Sequence, residues 1–255
     1  MNSEDIKEKI KIVPAILEQD FEKVKSLLDA FSKVTISMQI DVCEASFLEK
    51  VNKNTGAIST WLPNIQDDLS GYLLDLEFDM MVSDIEKYLD ILYYYDAKKI
   101  VVHSRYMSIE DYKSIYNKIK AKNKLISVGI SDTDTEKIKS LYGFYDYVQL
   151  MGIEQIGMQG QIFDRKVLDK ISELKSFLDL KEVENLEKEK EEKGEEEKES
   201  QNSKNICIQI DGAMNLETIK LCKAFGATSF VVGSYLKNAI KENKLAQEFR
   251  ALGKI

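Results

Sequence analysis

The stretch from Ile206 to Ser234, ICIQIDGAMNLETIKLCKAFGATSFVVGS, constrains the fold of this chain more than any other. Ile206 to Ile210 is a β-branched apolar run that ends at Asp211-Gly212, the pattern of a buried strand stopping at a tight turn. Asn215 follows as a helix cap, with Leu216, Ile219, Leu221, Cys222 and Phe225 near i, i+3, i+4 spacing and Gly226 as a left-handed stop. A second apolar strand, Phe230 to Val232, runs into Gly233-Ser234. This is a complete βαβ unit whose strands are parallel, so Asp211 and Gly233-Ser234 share the carboxyl edge of the sheet, where α/β proteins place their ligands. An acid at one strand end and a Gly-Ser donor nest at the next predict proton chemistry beside an anion site.

The same alternation continues through the chain. Strands are predicted at Lys11 to Leu17, Val34 to Val42, Leu74 to Val82, Lys99 to Ser104, Leu125 to Ser131 and Tyr145 to Ile153, with helices at Phe21 to Phe31, Ile85 to Tyr95, Glu136 to Tyr142, Asp164 to Leu180 and Tyr235 to Leu252. Eight strands, each followed by a helical pattern, predict one domain over 1–255, a single (β/α)8 TIM barrel. At 255 residues, 44% of them hydrophobic, the chain has the length and core that such a barrel needs.

Two stretches depart from the alternation. Between Leu48 and Leu74 a long loop with a short helix is expected over the barrel mouth, where it would act as a lid. Its Trp61 is expected to pack against the rim. The second is a charged, low-complexity insertion over 181–205, between the sixth helix and the seventh strand. Ten Glu against five Lys fall between Lys181 and Glu199, so a solvated helix extension followed by a disordered loop is expected, on the face opposite the site.

Composition excludes several classes of function. A net charge of −8 argues against nucleic acid as a partner. No apolar run reaches the length of a membrane span and MNSEDIKEKI is too charged for a signal peptide, so a cytoplasmic protein is expected. Cys43, Cys207 and Cys222 have no CxxC spacing, which leaves neither a disulfide framework nor a zinc knuckle.

Ile208-Gln209-Ile210-Asp211-Gly212, Asn215 to Ile219, and Val232-Gly233-Ser234 resemble the last two units of the ribulose-phosphate 3-epimerase family, whose members are (β/α)8 barrels of the pentose phosphate pathway. Pro14-Ala15-Ile16-Leu17 with Asp20-Phe21 resembles the family's opening Pro-Ser-Ile-Leu and Asp-Phe, with Ala15 in place of a serine. Gln39-Ile40-Asp41-Val42 resembles its His-Val-Asp-Val, and Met81-Val82 matches the end of its third strand. Val102-His103 matches a Val-His pair facing the mouth. Met151 stands at a family methionine, and Glu154 to Gln161, with Gly157 and Gly160, resembles the family's phosphate loop with fewer glycines.

The resemblance implies a ribulose-phosphate-binding barrel that interconverts ribulose 5-phosphate and xylulose 5-phosphate, or a related ketose phosphate, by two-Asp proton transfer. Asp41 and Asp211 carry the catalysis on this reading. The family's metal set maps onto Gln39, Asp41, Asp79 and Asp211. Both histidine positions are replaced by oxygen donors, which favours Mg²⁺ or Mn²⁺ over Zn²⁺ or leaves the site without metal. Substrate and phosphate contacts fall to His103, Met81, Met151, Gly157, Gly160, Gly212, Gly233 and Ser234. His103 contacts substrate or orients an acid. The alternatives are a catalytically degenerate barrel that binds a sugar phosphate, and aldol or decarboxylation chemistry on the same scaffold. Lys99 lies too near the start of its strand to serve the last of these. A homo-oligomer is compatible with the sequence.

Overall fold

The computed structural model describes residues 10–69, 71–193 and 206–255. Eight parallel strands close into a barrel in sequence order: β1 (Lys11–Ile16), β2 (Ser37–Cys43), β3 (Asp75–Met81), β4 (Lys99–His103), β5 (Ser127–Ser131), β6 (Tyr147–Met151), β7 (Cys207–Asp211) and β8 (Ser229–Val232). β8 pairs back onto β1, with Lys11 opposite Ser229 and Pro14 opposite Val232. Around the sheet lie α1 (Phe21–Phe31), α2 (Ala45–Asn52), α3 (Glu86–Tyr94), α4 (Ile109–Lys122), α5 (Thr135–Ser140), α6 (Val167–Lys193), α7 (Leu216–Ala224), α8 (Ser234–Lys241) and α9 (Leu245–Leu252).

The two faces of each strand do different work. Ile40, Phe78, Ile100, Ile130, Val148, Ile210 and Phe230 join one hydrophobic core with Val24, Leu28 and Phe31 of α1, Ile119 of α4 and Ile219 of α7. Burial of each such side chain contributes about 1.5–3 kcal/mol, and this sheet-to-helix layer holds the fold. Side chains one position away along each strand point into the barrel, and many of them are polar. Gln39, Asp41, Glu77, Asp79, Gln149, Gln209 and Ser229 are all buried.

Three expectations are corrected. The long loop after β2 begins with α2, so the open segment is shorter, and it is not a free lid. Thr60 Oγ1 donates to Asp41 O at 2.8 Å and accepts from Cys43 N at 2.8 Å, which fastens the loop to the end of β2. Trp61 is buried as expected, stacked on Phe21 and Tyr95, with Nε1 donating to Asp67 at 2.6 Å. The last helix is broken in two, because Asn243 adopts a left-handed φ of 57° between α8 and α9. The sixth helix also continues past Leu180 to Lys193, as the helix extension required; the rest of the charged stretch lies outside the described residues.

Candidate active site

The carboxyl ends of β2, β3, β4 and β7 bring together the groups that the sequence singled out. Asp41 lies opposite Asp79 in the β2–β3 register, and Asp211 approaches from β7. Each of the three offers a carboxylate oxygen, and these oxygens lie within 4.8 Å of one another. Gln39 links two of them: its Nε2 donates to Asp41 Oδ1 at 2.9 Å and to Asp211 Oδ2 at 3.2 Å. Asp79 is held by His103 Nε2 at 2.7 Å and by Gln149 Nε2 at 2.9 Å.

Crowding and burial decide the charge of this group. Removal from water, followed by the neighbouring Asp211 and Asp79 charges, raises the Asp41 carboxyl well above its ordinary value. Burial and then Asp79 push Asp211 up to about 7, against the pull of the Gln39 hydrogen bond. Near neutral pH the cluster therefore holds a proton that isolated carboxylates would have lost.

Above the acids is a cavity of about 50 Å³, lined among others by Ala15, Asp41, Met81, Met151, Asp211 and Val231. Gly157, Gly160, Gly212, Gly233 and Ser234 complete its wall, so every proposed phosphate-loop residue reaches one space. Gly212 is required as glycine: its φ is 105°, and a Cβ there would meet Ile153 Cγ1 at 2.7 Å. Ser234 is the first residue of α8, whose free N–H groups point at the cavity edge. His103 does not line the cavity; it sits behind Asp79, edge-on to Phe47.

Three carboxylate oxygens so close together suit a hard divalent cation. Gln39 turns its N–H rather than its carbonyl oxygen toward the acids, so the donor set as placed is Asp41, Asp79 and Asp211. Sequence reasoning passed over Glu77, Gln149 and Gln209 as site residues. A signal was there: Gln39, Glu77 and Gln209 each stand two positions before Asp41, Asp79 and Asp211, and Gln149 two before Met151. In a strand that spacing puts both members of a pair on the same face.

The model of the ribulose-phosphate 3 epimerase family matches residues 11–237. The chain belongs to this family. It is 25% identical over 246 residues to the ribulose-phosphate 3-epimerase of Bacillus subtilis, covering 94% of this chain and 98% of that protein. A second ribulose-phosphate 3-epimerase, from Buchnera aphidicola, is 27% identical over 130 residues, or 51% of this chain and 44% of that one. Among solved structures, KGPDC from Streptococcus mutans in complex with a ribose phosphate superposes with a TM-score of 0.62 at 11% identity, covering 96% of each chain. The 3-keto-L-gulonate-6-phosphate decarboxylase of Vibrio cholerae gives 0.60 at 14%, also covering 96% of each. At such identities these structures speak for the barrel alone. Among the described residues no helix is long and apolar enough to cross a membrane.

Proposed function

We propose that this chain is a ketose-phosphate 3-epimerase, with ribulose 5-phosphate as the substrate to test first. The observation that carries the reading is the pair Asp41 and Asp211, one from each side of the barrel, both lining the same cavity. Epimerisation next to a carbonyl needs one group to take the C3 proton and another to return one from the opposite face. Two carboxylates raised toward neutrality serve this, because at working pH one is ionised while the other still carries a proton. Each is the base in one direction and the acid in the other.

Met81 and Met151 wall the reacting carbons with apolar thioethers and keep water off the carbanion. The backbone around Gly212 and Gly233-Ser234, with the N-terminus of α8, holds the phosphate. His103 and Gln149 fix Asp79 against the acid pair. A hard cation such as Mg²⁺ or Mn²⁺, held by Asp41, Asp79 and Asp211, would stabilise negative charge on the enediolate oxygen.

The test is isotope exchange in D₂O. Ribulose 5-phosphate incubated with the protein is expected to take up deuterium at C3, and Asp41→Asn or Asp211→Asn is expected to lower that uptake by about 10²-fold or more. Uptake indifferent to both substitutions would overturn the assignment. Binding of the sugar phosphate with no uptake in any metal would select the second reading, a catalytically degenerate sugar-phosphate binder. That reading is favoured by one observation, the Gln39 amide lodged between the two acids.

A further inference from the structure

Beneath the three carboxylates, toward the amino end of the barrel, lies a second polar layer that does not line the cavity. Glu77 is at its base. One oxygen of Glu77 accepts from Gln209 Nε2, and the other faces Lys99 Nζ at 3.4 Å. Gln209 Nε2 also donates to Gln149 Oε1 at 2.8 Å and lies 3.4 Å from Gln39 Oε1, while its own Oε1 accepts from Ser229 Oγ at 2.8 Å. Above these, Gln149 Nε2 donates to Asp79, and Gln39 Nε2 donates to Asp41 and Asp211.

The two ends of an amide have nearly the same shape, so a buried glutamine faces whichever way its partners dictate. Ser229 dictates nothing, since a hydroxyl donates or accepts as required. Glu77 does dictate, because both of its neighbours, Lys99 Nζ and Gln209 Nε2, are donors. With Gln209 turned that way, Gln149 must meet it with oxygen and therefore offer N–H to Asp79. A reversed Gln39 would set its N–H against that of Gln209 and its oxygen against two carboxylates.

We propose that Glu77 and Gln209 are positioning residues that lock the Gln39 and Gln149 amides with N–H toward the acids. The lock commits Asp41 Oδ1 and Asp211 Oδ2 to Gln39 and leaves Asp41 Oδ2 and Asp211 Oδ1 for the substrate. It also keeps the Gln39 oxygen out of any cation's coordination sphere. The orientation stands on hydrogen-bond geometry alone, whereas its effect on rate rests on the epimerase reading.

The test uses Glu77→Gln in the full chain, with Gln209→Met as a second variant that removes the link while keeping volume. An amide in place of the Glu77 carboxylate cannot present oxygen to both Lys99 and Gln209. Side-chain amide signals of ¹⁵N-glutamine-labelled protein, assigned by single substitutions, are expected as one set with slow hydrogen exchange for Gln39 and Gln149. In folded Glu77→Gln these signals split or broaden, and in Gln209→Met their exchange quickens. Deuterium uptake at C3 is then expected to fall by about 10- to 100-fold with KM unchanged, because the acids keep their place but lose their set orientation.

Split signals in a protein whose wild type shows no uptake would support the lock while removing the epimerase reading. Unaltered amide signals in both folded variants would overturn the proposal. So would altered signals alongside a wild-type rate of uptake.

Discussion

At the scale of single residues, three carboxylates that lie this close together make the site work against the fold. Asp211 is raised to about 7 from an ordinary 3.8, and Asp41 is raised well above the same ordinary value by burial and by Asp211 itself. The folded protein therefore binds more protons than the unfolded chain between those values. By linkage, the stability tied to these groups is fully present below pH 3.8 and is lost as pH rises through about 7. Thermal melts of metal-free protein at constant ionic strength are expected to show a lower Tm at about pH 8 than at about pH 6, and Asp211→Asn is expected to flatten that slope. Mn²⁺ or Mg²⁺ should restore the Tm at the higher pH, and Asp79→Ala should weaken the effect; an equal Tm at both pH values would contradict this account. The acids were legible in the sequence because each ends a strand or stands next to its end. Their amide partners were not, since nothing in a lone glutamine tells a strand reader that another strand's glutamine lies across the barrel.

At the scale of elements, the loops after β6, β7 and β8 define the cavity, and the turn after β7 is the tightest of them. Gly212→Ala is expected to destabilise the protein by about 1–3 kcal/mol, since a Cβ at a φ of 105° would also collide with Ile153. Chemical denaturation measures the loss, and a raised KM for sugar phosphate is expected beside it, because Ile153 also lines the cavity. A variant as stable as the parent would show that the turn relaxes. The strands were readable as β-branched runs bounded by turn residues, and α1 was placed at Phe21–Phe31 from its Asp20 cap and apolar spacing. What escaped was settled by backbone angles and tertiary contacts. The break between α8 and α9 depends on a left-handed Asn243, and the fastening of the loop after α2 depends on Thr60 meeting the end of β2. Neither leaves a periodic mark in the sequence.

At the scale of the whole molecule, the charged stretch between α6 and β7 feeds the amino end of the barrel, opposite the acids. Replacing 188–204 with a short Gly-Ser link is expected to leave the Tm and the deuterium uptake unchanged within error, because loop closure depends only weakly on length. Loss of soluble, folded protein would show instead that the stretch is structural. The pairing of β1 with β8 has a separate consequence for how the chain reaches its native state. Strands from opposite ends of the sequence must meet before the sheet has no edge, and contacts so distant in sequence form slowly. Until β7 joins, a partly zipped sheet of β1 to β6 has two open edges and holds Asp41 without Asp211. Chemistry therefore returns only with the last step of refolding, and an intermediate that already shows most of its helical signal is inert and prone to aggregate.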